Sequence, residues 1–508
     1  MKLLISIVLV FTSNTLAQHP EDLVSSDALA IVSIQNASAM QGSLNSISTE
    51  YVGTPIVDLL SQFIKNPTSI DFSEKILLSI EPAVSADGQG QKGMFGTMPH
   101  LVVICKPKKG KMLELNNFSG VNSSTMHDGW FIAAGGNSWS PPSSGKLSPI
   151  FSELPEGQVS LMVQFGKLWS QVGPATQMVG GMMIGQMNKP GPTGIIDPAQ
   201  RKQTAATSQA FRKAMQFCAK VDTLSASVSL ASGVLDSTFK VGQKNPTEVI
   251  VDNASMIEMA SSLKAKALQY AMSGDFTRSL LDLQPASLVS DLDLFPMSTM
   301  TEWMRVLATI QGDNVVMYGL EPKTGLTVTA LAETFDPEEY LARVPAIIDA
   351  KSGEFAEEFQ MKFTPSDKLP TTWDVSKVEN TTADLQVMNA VIPDGTVLSF
   401  AQRGKWVGFM FGLTGYEPFT KSQNKTDLSR LLLAHDDMLI AFAMTVDLRD
   451  SARGFIAIAE QADSGDVTNV ASGPSAITEI TLGATLDGYE LEINMDLDGT
   501  VKLISELD

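Results

Sequence analysis

The chain has 508 residues, 44% of them hydrophobic, and a formal net charge of −20 at pH 7. This length exceeds what one compact core accommodates and fits two domains of about 200–250 residues each. The acidic balance argues against nucleic acids and anionic membrane surfaces as partners, because both attract clustered Lys and Arg. We therefore expect a globular protein that binds no nucleic acid.

The first residues are typical of a secretory signal peptide. Lys2 precedes an apolar run over residues 3–11, and small side chains at Thr15 and Ala17 mark a cleavage position. Residues 1–17 are therefore predicted to be removed. No later apolar run reaches the roughly 18 residues that a spanning helix needs. We expect an exported mature chain, periplasmic or extracellular, with no transmembrane segment.

Alternating apolar residues predict a first α+β repeat over residues 24–245. Asn36 could begin a helix that runs to about residue 65, and a Gly-rich loop occupies residues 85–97. The repeat closes with a hairpin that turns at Ser232-Gly233. The predicted strands of this repeat lie at residues 28–34, 76–80, 101–105, 130–134, 159–165, 224–230 and 235–241.

A second repeat with the same order of patterns is predicted over residues 286–508. Its terminal hairpin turns at Asp487-Gly488, with Leu482 on the predicted buried face and Glu490 and Glu492 on the solvent face. A helix is predicted near residues 300–310. The predicted strands lie at residues 288–294, 315–320, 326–330, 404–410, 438–446, 480–486 and 489–497.

The predicted fold class is α+β, with two similar repeats that are each a mainly antiparallel sheet with helices packed on one face. Residues 246–285 are predicted to form the helix that connects the repeats. This segment has apolar residues at helical spacing, including Ile250, Ile257 and Ala271, and it lacks the Gly, Pro and Ser richness of a flexible linker.

One stretch, at about residues 171–205, occurs only in the first repeat. Two interpretations follow: a mobile flap over an apolar binding site, or a helix that packs closely into its own domain through its glycines. We take this Met/Gly-rich insertion as the candidate binding segment. The candidate binding residues are Met178, Met182, Met183 and Met187.

Catalytic and metal-binding motifs are absent from the sequence. There is no nucleophile elbow, phosphate loop, dinucleotide fingerprint or zinc pair, so no catalytic residue, cofactor or metal is predicted. Residues 494–499 begin like a calcium loop, but the twelfth position is Ser505 instead of Glu. The two cysteines, Cys105 and Cys218, could be buried thiols or one disulfide.

The chain resembles uncharacterised exported bacterial proteins of a domain-of-unknown-function type. The residues that carry this resemblance are the short opening strand at 27–32, Gly129-Trp130-Phe131 and Lys405-Trp406-Val407. The resemblance implies a two-repeat α+β architecture. It implies no activity and assigns no site residue.

The sequence favours an exported, non-enzymatic protein that binds an apolar small molecule or a protein partner. Two alternatives remain. One is an exported hydrolase with an unrecognised site, which is supported by the dipeptides His127-Asp128 and His435-Asp436 and by the abundant Ser. The other is a structural or assembly component of the cell envelope, since exposed edge strands promote association.

Overall fold

The computed structural model divides into two compact units, Met1–Pro246 and Thr247–Asp508, which are described separately below. Among the described residues, no helix is both long and apolar enough to cross a membrane. The described residues are 19–40, 42, 67–82, 100–115, 118, 121–135, 149–187, 198–245, 249–277, 312–321, 324–334, 336–358, 361–367, 371–377, 392–413, 426–462 and 475–507.

Several predicted elements fall outside these residues. They are the signal peptide at 1–17, most of the helix at 36–65, the Gly-rich loop at 85–97, the strand at 288–294 and the helix at 300–310.

Eight described strands form the antiparallel sheet of unit 1. They are β1 (Ala30–Ile34), β2 (Ile76–Glu81), β3 (His100–Cys105), β4 (Ser123–His127), β5 (Trp130–Ala134), β6 (Val159–Val163), β7 (Val221–Ala231) and β8 (Val234–Gln243). Their order is β8-β7-β6-β1-β2-β3-β5-β4. Two long helices, α1 (Phe165–Met187) and α2 (Pro198–Lys220), lie between β6 and β7 in sequence.

The central strands of unit 1 are buried on both faces. Val102 and Ile104 of β3 belong to one apolar core, whereas Val103 and Cys105, which point the opposite way, belong to another. The first core also contains residues of the short 3₁₀ helices Pro20–Leu23 and Pro149–Ser152. These strands therefore read as nearly continuous apolar runs.

Ten described strands form the sheet of unit 2. They are β9 (Leu268–Met272), β10 (Asn314–Glu321), β11 (Gly325–Glu333), β12 (Met361–Pro365), β13 (Thr372–Lys377), β14 (Val397–Arg403), β15 (Trp406–Gly412), β16 (Leu439–Asp447), β17 (Ile477–Thr485) and β18 (Gly488–Asp496). Every pair is antiparallel, in the order β18-β17-β16-β9-β10-β11-β15-β14-β13-β12.

Helices of unit 2 cover both faces of this sheet. The described helices are α3 (Ala254–Ser262), α4 (Pro337–Glu358), α5 (Asp427–Ala434), α6 (Leu448–Ala462) and α7 (Leu497–Leu507). Leu331 and Trp406 share a core with residues of α3 and α5. Val328 and Phe409 lie on the opposite side of the same two strands and share a second core with residues of α4.

The predicted connecting helix at 246–285 is wrong. Ala254–Ser262 is helical, but the chain then forms β9, which pairs with both β10 and β16. Leu268, Tyr270 and Met272 alternate with Gln269 and Ala271, which is the period of a strand. Apolar residues four positions apart fit a helix and a strand equally well, because both periods return to the same face.

The terminal hairpin forms at the predicted turn, with Ile480 opposite Ile493, but its burial is the reverse of the prediction. Thr481 and Glu490 are buried, whereas Leu486, on the predicted inner face, is 66% exposed. The buried face carries small residues: a Cβ atom at Gly483 would lie 2.3 Å from Met438 Cγ. Close approach of a neighbouring segment therefore decides which face is buried.

The predicted fold class of two similar α+β repeats is therefore wrong. Eighteen antiparallel strands dominate the described part of the chain and do not divide into two clear repeats. Unit 2 has two more described strands than unit 1, the segment predicted to connect the repeats lies inside its sheet, and both faces of each sheet are covered. A sheet that is covered on both faces can bury polar side chains as well as apolar ones. Alternation of apolar and polar residues therefore does not tell whether one face or both faces are covered.

Candidate binding surface

The Met/Gly-rich segment forms half of a helical hairpin. The insertion was predicted at residues 171–205. The helical hairpin is longer than this at both ends, because α1 begins at Phe165 and α2 extends to Lys220. The Phe211 ring of α2 packs directly on Gly180 of α1, since a Cβ atom added at Gly180 would lie 2.1 Å from Phe211 Cζ. Thr204 and Met215 are buried on the same side of α2 as Phe211. The glycine at 180 permits this close contact between the helices.

An exposed apolar patch lies on the distal half of α1. Met178, Val179, Met182 and Met183 are 46%, 42%, 57% and 62% exposed, and we call these four residues the Met patch. Their positions, i, i+1, i+4 and i+5, place them in two adjacent rows on one side of the helix. A Cβ atom added at Gly181, which lies beside the row of Met178 and Met182, would have no neighbouring atom within 4 Å. The Met patch is therefore a continuous apolar surface open to solvent.

The structure brings together three of the four predicted binding residues. Met178, Met182 and Met183 all lie in the Met patch, whereas Met187 is the last residue of α1. Val179 was not among the predicted residues, although its position beside Met178 and Met182 follows from helical spacing. Phe217 of α2 is also 45% exposed and was not predicted.

Sequence reasoning also missed the basic character of this hairpin. Residues 165–220 contain seven Lys or Arg residues and one acidic residue, Asp197. The signal was readable by counting charges within the segment. Residues 171–188, which hold the methionines, contain no charged residue, whereas most of the basic residues follow them in the sequence.

Gly180→Leu is expected to separate α2 from α1, whereas Gly181→Leu is expected to leave the hairpin intact. The side chain at 180 would overlap the Phe211 ring, and such overpacking costs about 1–3 kcal/mol. Trypsin cleavage after Arg212 and Lys213 in the native protein measures the opening of α2. We expect cleavage to be roughly tenfold faster in the first variant; equal rates in both variants would contradict the packing assigned to Gly180.

A cleft of about 400 Å³ lies within unit 2, but its lining is charged. Lys266 Nζ lies 2.5 Å from Glu321 Oε1, and this hydrogen bond lowers the pKa of Glu321. Asp447 accepts hydrogen bonds from the N–H groups of Arg449 and Asp450 and so caps α6. These charged groups therefore serve the local structure, while Ala267, Leu320 and Ile477 form an apolar part of the lining.

The histidines of the hydrolase alternative occupy structural positions. His435 ends α5, where its Nδ1 lies 2.9 Å from the Leu431 carbonyl oxygen and its Nε2 lies 2.8 Å from Glu492 Oε2. The hydrogen bond to Glu492 raises the pKa of His435 from 6.5 to about 9. His435 is therefore protonated at neutral pH and cannot accept a proton from a nucleophile there. His127 is the last residue of β4, and its Nε2 lies 3.7 Å from Oδ2 of Asp128 in the turn that follows.

The remaining sequence candidates are also structural. Asp496 ends β18, and its Oδ1 accepts a hydrogen bond from the Gly499 N–H, so residues 494–499 form the end of β18 and the first turn of α7 and not a calcium loop. The described residues contain no group of three acidic, His or Cys side chains suited to a metal ion. Cys105 and Cys218 are both free thiols, and burial raises the pKa of Cys105 to about 12.

Comparisons of the chain with protein families, with curated proteins and with solved structures found no match. The resemblance to exported bacterial proteins of unknown function therefore stays a prediction.

Proposed function

We propose that this protein is exported, is non-enzymatic, and acts by binding a partner through the Met patch. The observation that carries the proposal is the solvent exposure of four contiguous apolar side chains on α1. Large apolar patches are uncommon on monomeric surfaces and typically mark interaction sites. Methionine suits such a site, since its flexible, polarisable side chain adapts to different contacts.

An extended partner surface fits the Met patch better than a small molecule does. Small ligands bind in concave sites that bury most of their surface. The Met patch lies on the outer side of a helix, and Gly181 and Gly185 beside it have open space where a side chain would be. The predicted binding of an apolar small molecule is therefore the weaker of the two original alternatives.

The polar groups that could serve a hydrolase already have structural roles, which favours the binding function over the hydrolase alternative. His435 is committed to Glu492 and to the end of α5, and the cleft in unit 2 is lined by paired charges. Export is supported by the signal-peptide pattern of residues 1–17. A secreted chain with an adhesive helical hairpin is consistent with a role on an extracellular or envelope surface.

Gradient fractionation of cells that produce the native chain tests this function. We expect the wild-type protein to migrate with a larger assembly or particle and the Met182→Ser/Met183→Ser variant to migrate as the free chain. The matched control is Met112→Ser/Met126→Ser, which alters two exposed methionines of the same unit outside the hairpin. Identical migration of the wild type and the Met-patch variant would refute binding through this surface.

A further inference from the structure

The cleft of unit 2 lies at one end of the sheet. β16 ends there at Asp447, β10 ends at Glu321, and β9, which pairs with both strands, begins beside them. Residues 265–267, which lead into β9, also line the cleft, and residues of α5, α6 and β17 contribute the rest of the described lining. Its volume of about 400 Å³ lies within the range of small-molecule sites, about 300–1,000 Å³.

One carboxylate of the cleft has no cation beside it. Three ion pairs account for the other charged side chains of the lining: Lys266 with Glu321, Arg453 with Asp450, and Asp427 with Arg430 of its own helix. Asp447 forms no ion pair with any residue that the structure describes. The cleft therefore contains a carboxylate whose charge is not neutralised by a neighbouring side chain.

One oxygen of Asp447 serves the fold and the other does not. Oδ1 accepts hydrogen bonds from the N–H groups of Arg449 and Asp450, at 3.0 and 3.1 Å, and so caps α6. Oδ2 accepts no hydrogen bond from the described part of the chain. The positive end of the α6 dipole offsets only about half of one charge. Asp447 can therefore cap the helix and also accept a hydrogen bond from a bound cation.

A second polar group lies beside Asp447 in the cleft. Thr445 precedes Asp447 by two residues in β16, so both side chains project from the same face of the strand. Thr445 is 2% exposed, and its hydroxyl group forms no hydrogen bond with a described residue. Burial of a hydroxyl group without a partner is unfavourable. A ligand that donates a hydrogen bond to this group would remove that cost.

Apolar groups form the remaining part of the lining. They are the side chains of Ala265, Ala267, Leu320 and Ile477. The aliphatic part of Lys266 packs on Gly319, where an added Cβ atom would lie 2.9 Å from Lys266 Cδ. A matching ligand therefore has a positive charge, N–H donors and an apolar chain. A metal ion is the poorer fit, because the described residues contain no group of three acidic, His or Cys side chains suited to one.

We propose that this cleft binds a primary aliphatic amine, whose ammonium group donates hydrogen bonds to Asp447 Oδ2 and Thr445 Oγ1 and whose alkyl chain lies on the apolar part of the lining. An ammonium group has three N–H donors, so it can bond to both oxygens at once. Hydrogen bonds to a carboxylate are roughly twice as strong as neutral ones, so Asp447 contributes more than Thr445. Two sources supply such a group: a free amine and a lysine side chain of a partner. The site lies in unit 2 and is separate from the Met patch of unit 1.

Ligand-observed NMR titration of the purified chain with pentylamine tests the proposal, with 1-pentanol as the neutral probe of equal chain length. We expect pentylamine to bind at least tenfold more tightly than 1-pentanol. Asp447→Asn keeps an oxygen that caps α6 but removes the charge, and it should weaken pentylamine binding roughly tenfold. Thr445→Val should weaken it about fivefold. Thr445→Val removes a buried hydroxyl group without a partner, so the midpoint of thermal unfolding should not fall.

The matched controls are Asp487→Asn and Thr478→Val. Asp487 is exposed in the turn between β17 and β18, where Asn-Gly also suits the turn. Thr478 is another buried threonine whose hydroxyl group has no partner, but it lies opposite Val446 and therefore on the other face of the sheet from Thr445. Both controls should bind pentylamine as the wild type does.

Equal binding of pentylamine and 1-pentanol by the wild type would overturn the proposal. Unchanged pentylamine binding in folded Asp447→Asn and Thr445→Val variants would overturn it as well. The third probe, Nα-acetyl-lysine amide, distinguishes the two sources of the amine. Tighter binding of this probe than of pentylamine assigns the cleft to a lysine side chain of a partner, and weaker binding assigns it to a free amine.

Discussion

Glu506→Ala is expected to lower the free energy of unfolding by about 3 kcal/mol. Glu506, on α7, pairs with Arg449 in the first turn of α6, and the Arg449 side chain is completely buried. Removing Glu506 is costly, because the buried Arg449 guanidinium loses its ion pair with this carboxylate while it stays out of water. The pair therefore fixes the C-terminal helix to unit 2.

Urea unfolding, followed by circular dichroism, measures this effect. The control is Arg343→Gln, which breaks the exposed pair between Arg343 and Glu339 on α4. Exposed pairs at i and i+4 contribute only about 0.3–0.5 kcal/mol, so the control midpoint should barely move. If the two variants lose similar amounts of unfolding free energy, then burial of Arg449 does not make its ion pair with Glu506 more stabilising than an exposed pair.

The second large effect is a loss of stability at alkaline pH. The Glu492 carboxylate raises the pKa of His435 from 6.5 to about 9, so the folded state binds a proton that the unfolded state releases above pH 6.5. The stabilisation is therefore fully present below pH 6.5 and is lost as the pH rises to about 9. We expect about 2 kcal/mol, which is less than the full linkage value because Glu492 is partly exposed to solvent.

The Glu492→Gln variant isolates this contribution. Glutamine keeps a hydrogen-bonding side chain beside His435 but removes the charge that raises its pKa. The difference in unfolding free energy between wild type and variant should be largest at pH 6 and should shrink towards zero near pH 9.5. A difference that does not vary with pH would mean that the ion pair is not what protonates His435.

The Met/Gly-rich segment shows how far local pattern extends. Its composition singled out Met178, Met182 and Met183 as candidate binding residues, and the structure places all three on one side of α1. The sequence did not distinguish a flap from a buried helix, because apolar spacing is the same for a core face and an exposed face. Exposure depends on whether another segment covers that face, and α2 packs at Gly180 and leaves the Met patch uncovered.

The sequence also did not predict which strands pair with β9. Residues 268–272 have an alternating pattern that a strand requires, but the helical spacing of nearby alanines predicted a longer helix. The pairing of β9 with β10 and β16 joins residues far apart in the chain. Such long-range hydrogen bonds override weak local propensity, because propensities contribute only fractions of a kcal/mol per residue.

The sequence by itself determined where most strands and the two hairpin turns lie, and it concentrated apolar and basic residues in one segment. Only the tertiary structure decided which side of each element is buried. In the terminal hairpin, Thr481 and Gly483 lie on the buried side, while Leu486 is exposed. The physical reason is that alternation fixes which side chains share a face, whereas the neighbour that approaches a face sets its burial, and small residues permit the closest approach.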